Sequence, residues 1–224
     1  MKTGLILGIN GDLGGAISKA LKDEGYNIFG SIFKETDSKD GKLNRVFLDM
    51  GSKKSIDSFI RKLPQNKKFD FFTNTIANKL IFNKFEDIKQ ESFEEDFKIN
   101  VLNFIYILKK ILPRLNPGAN IIIILSEVTI QNNPKYYSSY VSSKYALLGL
   151  MKSLSGELKS KNIKINSVSP GMMDTKFIRD LPDSLKNFYV SHNKGFVSPI
   201  KVSNKIMEII NSGDSYGINV PVLN

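Results

Sequence analysis

The chain has 224 residues, enough for one sizeable α/β domain and too few for two comfortable ones, so a single domain is expected. Its 41% hydrophobic and 24% charged content is that of a globular protein with no membrane-length apolar run; zero cysteines and a lone His192 exclude disulfides, thiolate zinc and histidine-cluster metal sites. The net charge of +10 suits anionic ligands, yet pairs such as Lys53-Lys54 and Lys67-Lys68 alternate with acids, which argues against nucleic acid or a membrane surface as partner.

Residues 4–8 form a short apolar run, too short for a signal-peptide core, and read as a buried strand entering a glycine turn; a cytoplasmic protein is expected. Leu13 to Glu24 carries a helical pattern (Leu13, Ile17, Leu21) ended by Gly25. Strands follow at 26–32 and 45–49, then a helix from Ser52 to Leu63 stopped by Pro64, then a strand at 69–75. Ser92-x-x-Glu95 reads as a capping box opening one long helix through Phe97, Val101, Phe104, Ile105 and Leu108. Asn120 to Ser126, with four consecutive isoleucines, reads as a strand covered on both faces. The helix bearing Tyr140 and Lys144 comes next, then a strand at 164–168 and a helix begun by Ser198-Pro199. Strands alternating with helices imply right-handed βαβ units and a parallel sheet.

Two stretches carry chemistry. Gly8-Ile9-Asn10-Gly11-Asp12-Leu13-Gly14 links the first strand to the first helix, where glycines permit a tight turn and helix N-terminal amides meet a pyrophosphate. Tyr140 and Lys144 lie one turn apart on one helix face and can serve one site. A phenol acts as an acid or base near neutrality only if a neighbouring positive charge stabilises its anion, and Lys144 is placed to supply that charge. Taken alone, such a pair is common on solvated helix faces.

These motifs, in this order, resemble the classical short-chain dehydrogenase/reductase family. Its Thr-Gly-x-x-x-Gly-x-Gly corresponds to residues 7–14, with Leu7 for the threonine, Asp12 for the middle glycine, and Gly11 as a candidate to restore the lost flexibility. Asp49 falls where the family sets an acid against the adenine. Asn74-Thr75-Ile76-Ala77 keeps the first asparagine of Asn-Asn-Ala-Gly, and Ile99-Asn100-Val101 is similar to Val-Asn-Leu, so Asn100 would kink a helix and hold the relay water. Residues 166–175 match Asn-x-Val-x-Pro-Gly-x-x-x-Thr throughout, which implies cofactor contacts at Pro170, Gly171 and Thr175. The family's serine falls at Ser126 or, by its usual spacing, at Glu127; the end-of-strand position favours Ser126. Ser138 and Ser139 read as helix caps.

The resemblance implies a Rossmann-type, doubly wound parallel sheet of about seven strands with helices on both faces, and a substrate lid over residues 175–197. It also implies an NAD(P)-dependent oxidoreductase acting on a carbonyl or secondary alcohol. In it Tyr140 donates the proton, Lys144 lowers the phenol's pKa and holds the nicotinamide ribose, Ser126 polarises the carbonyl and Asn100 feeds the relay. Gly8, Asn10, Gly11, Asp12, Leu13, Gly14, Asp49 and Asn74 would surround the cofactor. Coenzyme choice falls at Ile32, Phe33 and Lys34; no carboxylate stands there, so NADP is expected, with NAD open through Glu35 or Asp37. A 3-oxoacyl-type ketoreductase is the leading reading. A sugar or small-alcohol dehydrogenase and a catalytically silent dinucleotide-binding regulator compete with it. A homodimer or homotetramer is implied, and His192 reads as a lid surface residue.

Overall fold

The computed structural model describes residues 1–33, 44–130, 134–193, 195–213 and 215–224. Its strands are β1 (Thr3–Leu7), β2 (Asn27–Ile32), β3 (Asn44–Phe47), β4 (Phe69–Asn74), β5 (Leu115–Ile124), β6 (Lys164–Pro170) and β7 (Asn219–Val222). They form one seven-stranded sheet, all neighbours parallel, in the order β3-β2-β1-β4-β5-β6-β7. The chain starts in the middle, runs outward to β3 and returns to add β4 on the other side of β1. The sheet therefore reverses direction between β1 and β4, and a crevice opens at their carboxyl ends.

Alternation along each strand sends side chains to two separate cores. Leu5, Leu7, Ile121 and Ile123 pack beneath α2 (Lys53–Lys62), α4 (Asn103–Ile111) and α5 (Ser138–Lys159), meeting Phe59, Ile107 and Met151. Ile6, Ile28 and Ile122 face the other way, toward Ile17 of α1 (Asp12–Asp23) and Val202 and Ile206 of α7 (Pro199–Asn211). The isoleucine run thus serves both faces, as the sequence implied. Each fully buried Ile or Phe contributes about 1.5–3 kcal/mol, so both helical layers are anchored through β1 and β5.

The helix ends agree with the sequence at two places and differ at two. Gly25 takes φ +78 after α1, and the Ser198 hydroxyl caps α7 by accepting from Lys201 N–H at 3.1 Å. Ser92 is no cap: α3 (Gln90–Phe97) begins earlier, with Lys89 at its N-cap, because an extended Ile88 after the turn at Phe85–Asp87 delivers the chain there. The expected long helix is divided into α3 and α4 by a π-helical turn, Lys98–Leu102, at Asn100, where the family resemblance implied a kink. β5 starts at Leu115 rather than Asn120, pairing with Phe69 across a register shift. The stretch expected to form a lid holds a further helix, α6 (Asp183–Asn193), with His192 exposed on it.

Candidate active site

At the crevice the glycine turn closes on itself. Gly8 has φ +83, and a Cβ there would meet the Thr75 hydroxyl at 2.8 Å; a Cβ on Gly14 would stand 2.2 Å from the Gly8 carbonyl oxygen. Both positions are therefore closed to side chains. Ser31, which the sequence reading passed over, braces the turn: its hydroxyl accepts from Gly8 N–H at 2.9 Å and its carbonyl from Ile9 N–H at 3.1 Å. Gly11 is the N-cap of α1 at φ −73 and ψ 162, a conformation open to any residue, so the flexibility expected of it is not used. Asp12 opens the helix, and its carboxylate accepts from the Lys176 N–H at 3.1 Å, linking the turn to the segment that follows β6.

A cleft of about 710 Å³ runs from this turn across the sheet. It brings together residues 11–14, then Asn74 at the end of β4, then Ser126, Tyr140 and Lys144. Pro170, Gly171 and Thr175 complete its far wall. Gly8 and Asn10 belong to the same turn without lining the cleft, and Asn10 is exposed. Asp49 stands apart, its carboxylate accepting from Gly51 N–H at 2.8 Å in the turn before α2. Lys34, like Glu35 and Asp37, lies outside the described residues.

Tyr140 and Lys144 rise from the first turns of α5 toward the end of β5. Lys144 is 6% exposed, donates to the Ile124 carbonyl at 2.9 Å and holds Nζ 5.3 Å from the centre of the Tyr140 ring. Burial lowers its pKa to about 8, opposed by the charge of Asp96. The phenol goes up, not down: burial lifts Tyr140 to about 12, the Ser126 hydrogen bond pulls it back, and the charges of Asp96 and Glu127 raise it further. Desolvation is the largest cause. At neutral pH the pair is consequently a protonated phenol beside an ammonium ion, the state of a proton donor.

Ser126 and Glu127 occupy different walls. The Ser126 hydroxyl lies beside the Tyr140 phenol, pulling its pKa down, and accepts from Val128 N–H at 3.5 Å. Glu127 is 7% exposed and accepts from the Tyr189 hydroxyl at 3.1 Å, while that hydroxyl accepts from Met172 N–H at 2.8 Å. Tyr189 thus fastens α6 to the strand ends, a role that nothing in the sequence pattern marks. Ser138 and Ser139 are not caps, since Tyr137 takes the N-cap of α5.

Asn100 sits behind the cleft on the π turn, 3% exposed. With Lys144 and Asn74 it lines a cavity of about 10 Å³, close to the room one water needs. Asn166, by contrast, is remote from the chemistry: its amide bonds to Ser215 O at 2.8 Å and Ile218 N at 3.1 Å, pinning the approach to β7. Among the described residues no cluster of three or more acidic or histidine side chains is arranged to hold a metal.

Residues 8–210 match the family model described as enoyl-(acyl carrier protein) reductase. The 3-oxoacyl-[acyl-carrier-protein] reductase FabG of Rickettsia felis is 30% identical over 203 residues, covering 82% of this chain and 76% of the relative. The 2-dehydro-3-deoxy-D-gluconate 5-dehydrogenase of Bacillus subtilis is 29% identical over 195 residues, covering 83% and 76%. The solved structure of ElxO with NADP bound shares the fold at a TM-score of 0.87 and 20% identity, over 99% of this chain and 96% of that one.

Proposed function

The chain belongs to the short-chain dehydrogenase/reductase family of NAD(P)-dependent oxidoreductases, and on that premise we propose that it is a ketoreductase using NADP on an apolar, 3-oxoacyl-type ketone. The observation that carries this reading is the pairing of Ser126 and Tyr140 beneath a chamber walled by Phe82, Tyr137, Met172, Phe177 and Phe188. Aromatic and thioether walls favour an acyl chain over a polyhydroxy acid. The buried Glu127 beside Ser126 disfavours a substrate carboxylate there.

The cradle fits a dinucleotide on its own geometry. Close backbone approach at Gly8 and Gly14 and the amides opening α1 suit a pyrophosphate. Asn10, Gly11, Asp12, Leu13, Asn74, Pro170, Gly171 and Thr175 are proposed to hold the rest of the cofactor, with Asp49 toward the adenine. For NADP over NAD speak the want of a carboxylate at Ile32 and Phe33, the positive net charge, and the NADP held by ElxO; Lys34 is the proposed phosphate partner.

The bound nicotinamide supplies a hydride to the carbonyl carbon. Tyr140 donates its proton to the carbonyl oxygen, Ser126 donates a hydrogen bond to the same oxygen, and the Lys144 ammonium lowers the cost of the phenolate left behind. Asn100 and the small cavity beside Lys144 give the replacement proton a place to enter.

A sugar-acid dehydrogenase is the second reading, supported by the Bacillus subtilis relative. A silent dinucleotide binder has no use for a buried Lys144 set beside Tyr140 and Ser126. Absorbance of the reduced cofactor, followed with a 3-oxoacyl thioester, a keto sugar acid and a small cyclic ketone, separates the three. Oxidation with the thioester alone or best is expected; preference for the sugar acid, or no turnover with cofactor bound, overturns the reading. No helix among the described residues is long and apolar enough to cross a membrane. A single-domain, cytoplasmic homodimer or homotetramer completes the proposal, its stoichiometry measurable by light scattering.

A further inference from the structure

Asp96, on the last turn of α3, is 2% exposed, and no step above uses it. Its Oδ1 accepts from Asn100 Nδ2 at 2.6 Å, while Asn100 Oδ1 accepts from Asn78 N–H at 2.8 Å, so the Asn100 amide is fixed from both sides. The Ser139 hydroxyl, one residue before Tyr140, lies near the same carboxylate, whose second oxygen has no well-formed hydrogen bond although buried. A buried carboxylate left half satisfied destabilises the fold. Its return is a negative charge set behind Asn100, which lines the small cavity together with Lys144.

The groups facing that charge come from three directions. The segment after β4 brings Asn78, the π turn brings Asn100, and α5 brings Ser139, Tyr140 and Lys144. Of these only Lys144 and Tyr140 titrate. Burial raises the Asp96 carboxyl, with Ser139, Asn78, Lys144 and Asn100 pulling it back. Reciprocally, Asp96 is the charge that opposes the loss of the Lys144 proton and raises Tyr140.

We propose that Asp96 is a positioning residue of the proton relay, orienting the Asn100 amide by direct hydrogen bond and supplying the counter-charge that keeps Lys144 an ammonium ion beside Tyr140. The relay half rests on the ketoreductase reading; the charge half stands without it.

Asp96→Asn retains an acceptor for Asn100 and removes the charge, so it separates the two halves. In the apo-protein, with 13Cε-labelled lysine and Lys144→Met to assign the signal, the Lys144 midpoint is expected near 8 in the wild type and lower by about one unit in Asp96→Asn. Asp96→Glu, which keeps the charge, should return it toward the wild-type value. With cofactor and ketone, the alkaline fall of kcat/KM should move down by the same amount while the plateau at lower pH changes only a few-fold. A lowered melting temperature with both midpoints unmoved would mean that Asp96 is structural only, and overturns the proposal. If Asp96→Asn does not fold, Lys144→Met should raise the 13Cγ titration of Asp96, and an unmoved midpoint there overturns it equally. Should the wild type reduce no ketone, the ketoreductase reading fails while the apo titrations still decide the charge half.

Discussion

Gly14→Ala challenges the cradle at its tightest point. The new Cβ would stand 2.2 Å from the Gly8 carbonyl oxygen, 2.9 Å from its carbonyl carbon and 3.0 Å from Thr75 Oγ1. The first contact is short of van der Waals distance by more than about 1 Å. Two of the three atoms are backbone, and Thr75 is held by donating to the Leu7 carbonyl at 2.9 Å. Relief therefore requires the glycine turn and the first turn of α1 to part. Overpacking of this kind costs about 1–3 kcal/mol, with a fall in Tm of about 2–4 °C for each kcal/mol in a chain of this size. A displacement near 1 Å at the pyrophosphate amides should weaken dinucleotide binding on the order of a hundredfold. Gly15→Ala is the control, since its Cβ would meet nothing nearer than Ile9 O at 3.7 Å and an alanine in a helix gains about 0.5–1 kcal/mol. Calorimetric cofactor titration and thermal melting of both variants read the difference. Equal cofactor affinity in Gly14→Ala and Gly15→Ala would refute the cradle.

Three further outcomes follow from the same geometry. Tyr140→Phe should fold and bind cofactor while losing most turnover; retained turnover, measured by cofactor oxidation, would exclude the phenol as the acid. Ser126→Ala should lower kcat on the order of a hundredfold or more, whereas Glu127→Gln, acting on the Tyr189 tether, should change KM more than kcat; the reverse ranking would move the carbonyl donor to Glu127. Ketone reduction needs Lys144 charged, and its pKa is depressed to about 8, so kcat/KM should hold below that pH and fall as pH rises through it. A profile flat to pH 10 would show that the lysine charge is not required.

What the sequence made legible was everything written in short-range order. The alternation of apolar runs gave the parallel sheet, Gly25 and Ser198 gave helix ends, and the spacing of Tyr140 and Lys144 gave the pair. What it hid depends on distant segments meeting. The break at Lys98–Leu102 was legible only through the family resemblance, which set a kinking asparagine at Asn100; the contacts of its amide with Asp96 and Asn78 leave no mark on a hydrophobic period. The rise of the Tyr140 pKa was missed for a related reason: one neighbour, Lys144, can be read from the chain, but the depth of burial cannot. Ser31 and Tyr189 are ordinary residues in ordinary patterns, and only the fold sets one under the Gly8 turn and the other against Glu127.

Asp12 is where this chain departs most from the glycine motif it otherwise resembles, and its two roles oppose one another. At the opening of α1 its carboxylate favours the helix, whose N-terminus is the positive end of the dipole, and it ties down the segment after β6, the proposed lid, through the Lys176 N–H. Yet it lines the same cleft that is proposed to take an anionic cofactor. Asp12→Asn keeps an oxygen for Lys176 and removes the charge, so affinity and stability should move in opposite directions: dinucleotide binding tighter by a few-fold at low salt, melting temperature slightly lower. The binding gain should shrink as ionic strength rises and the Debye length falls below about 8 Å. Asp12→Gly, which also removes the tie to Lys176, should bind no better than Asp12→Asn and turn over more slowly if the clasp positions the lid. Titration of the cofactor at two salt concentrations decides the matter. An affinity unchanged by Asp12→Asn at low salt would mean that the carboxylate lies off the path of the phosphates, and that the substitution at this glycine position serves the lid alone.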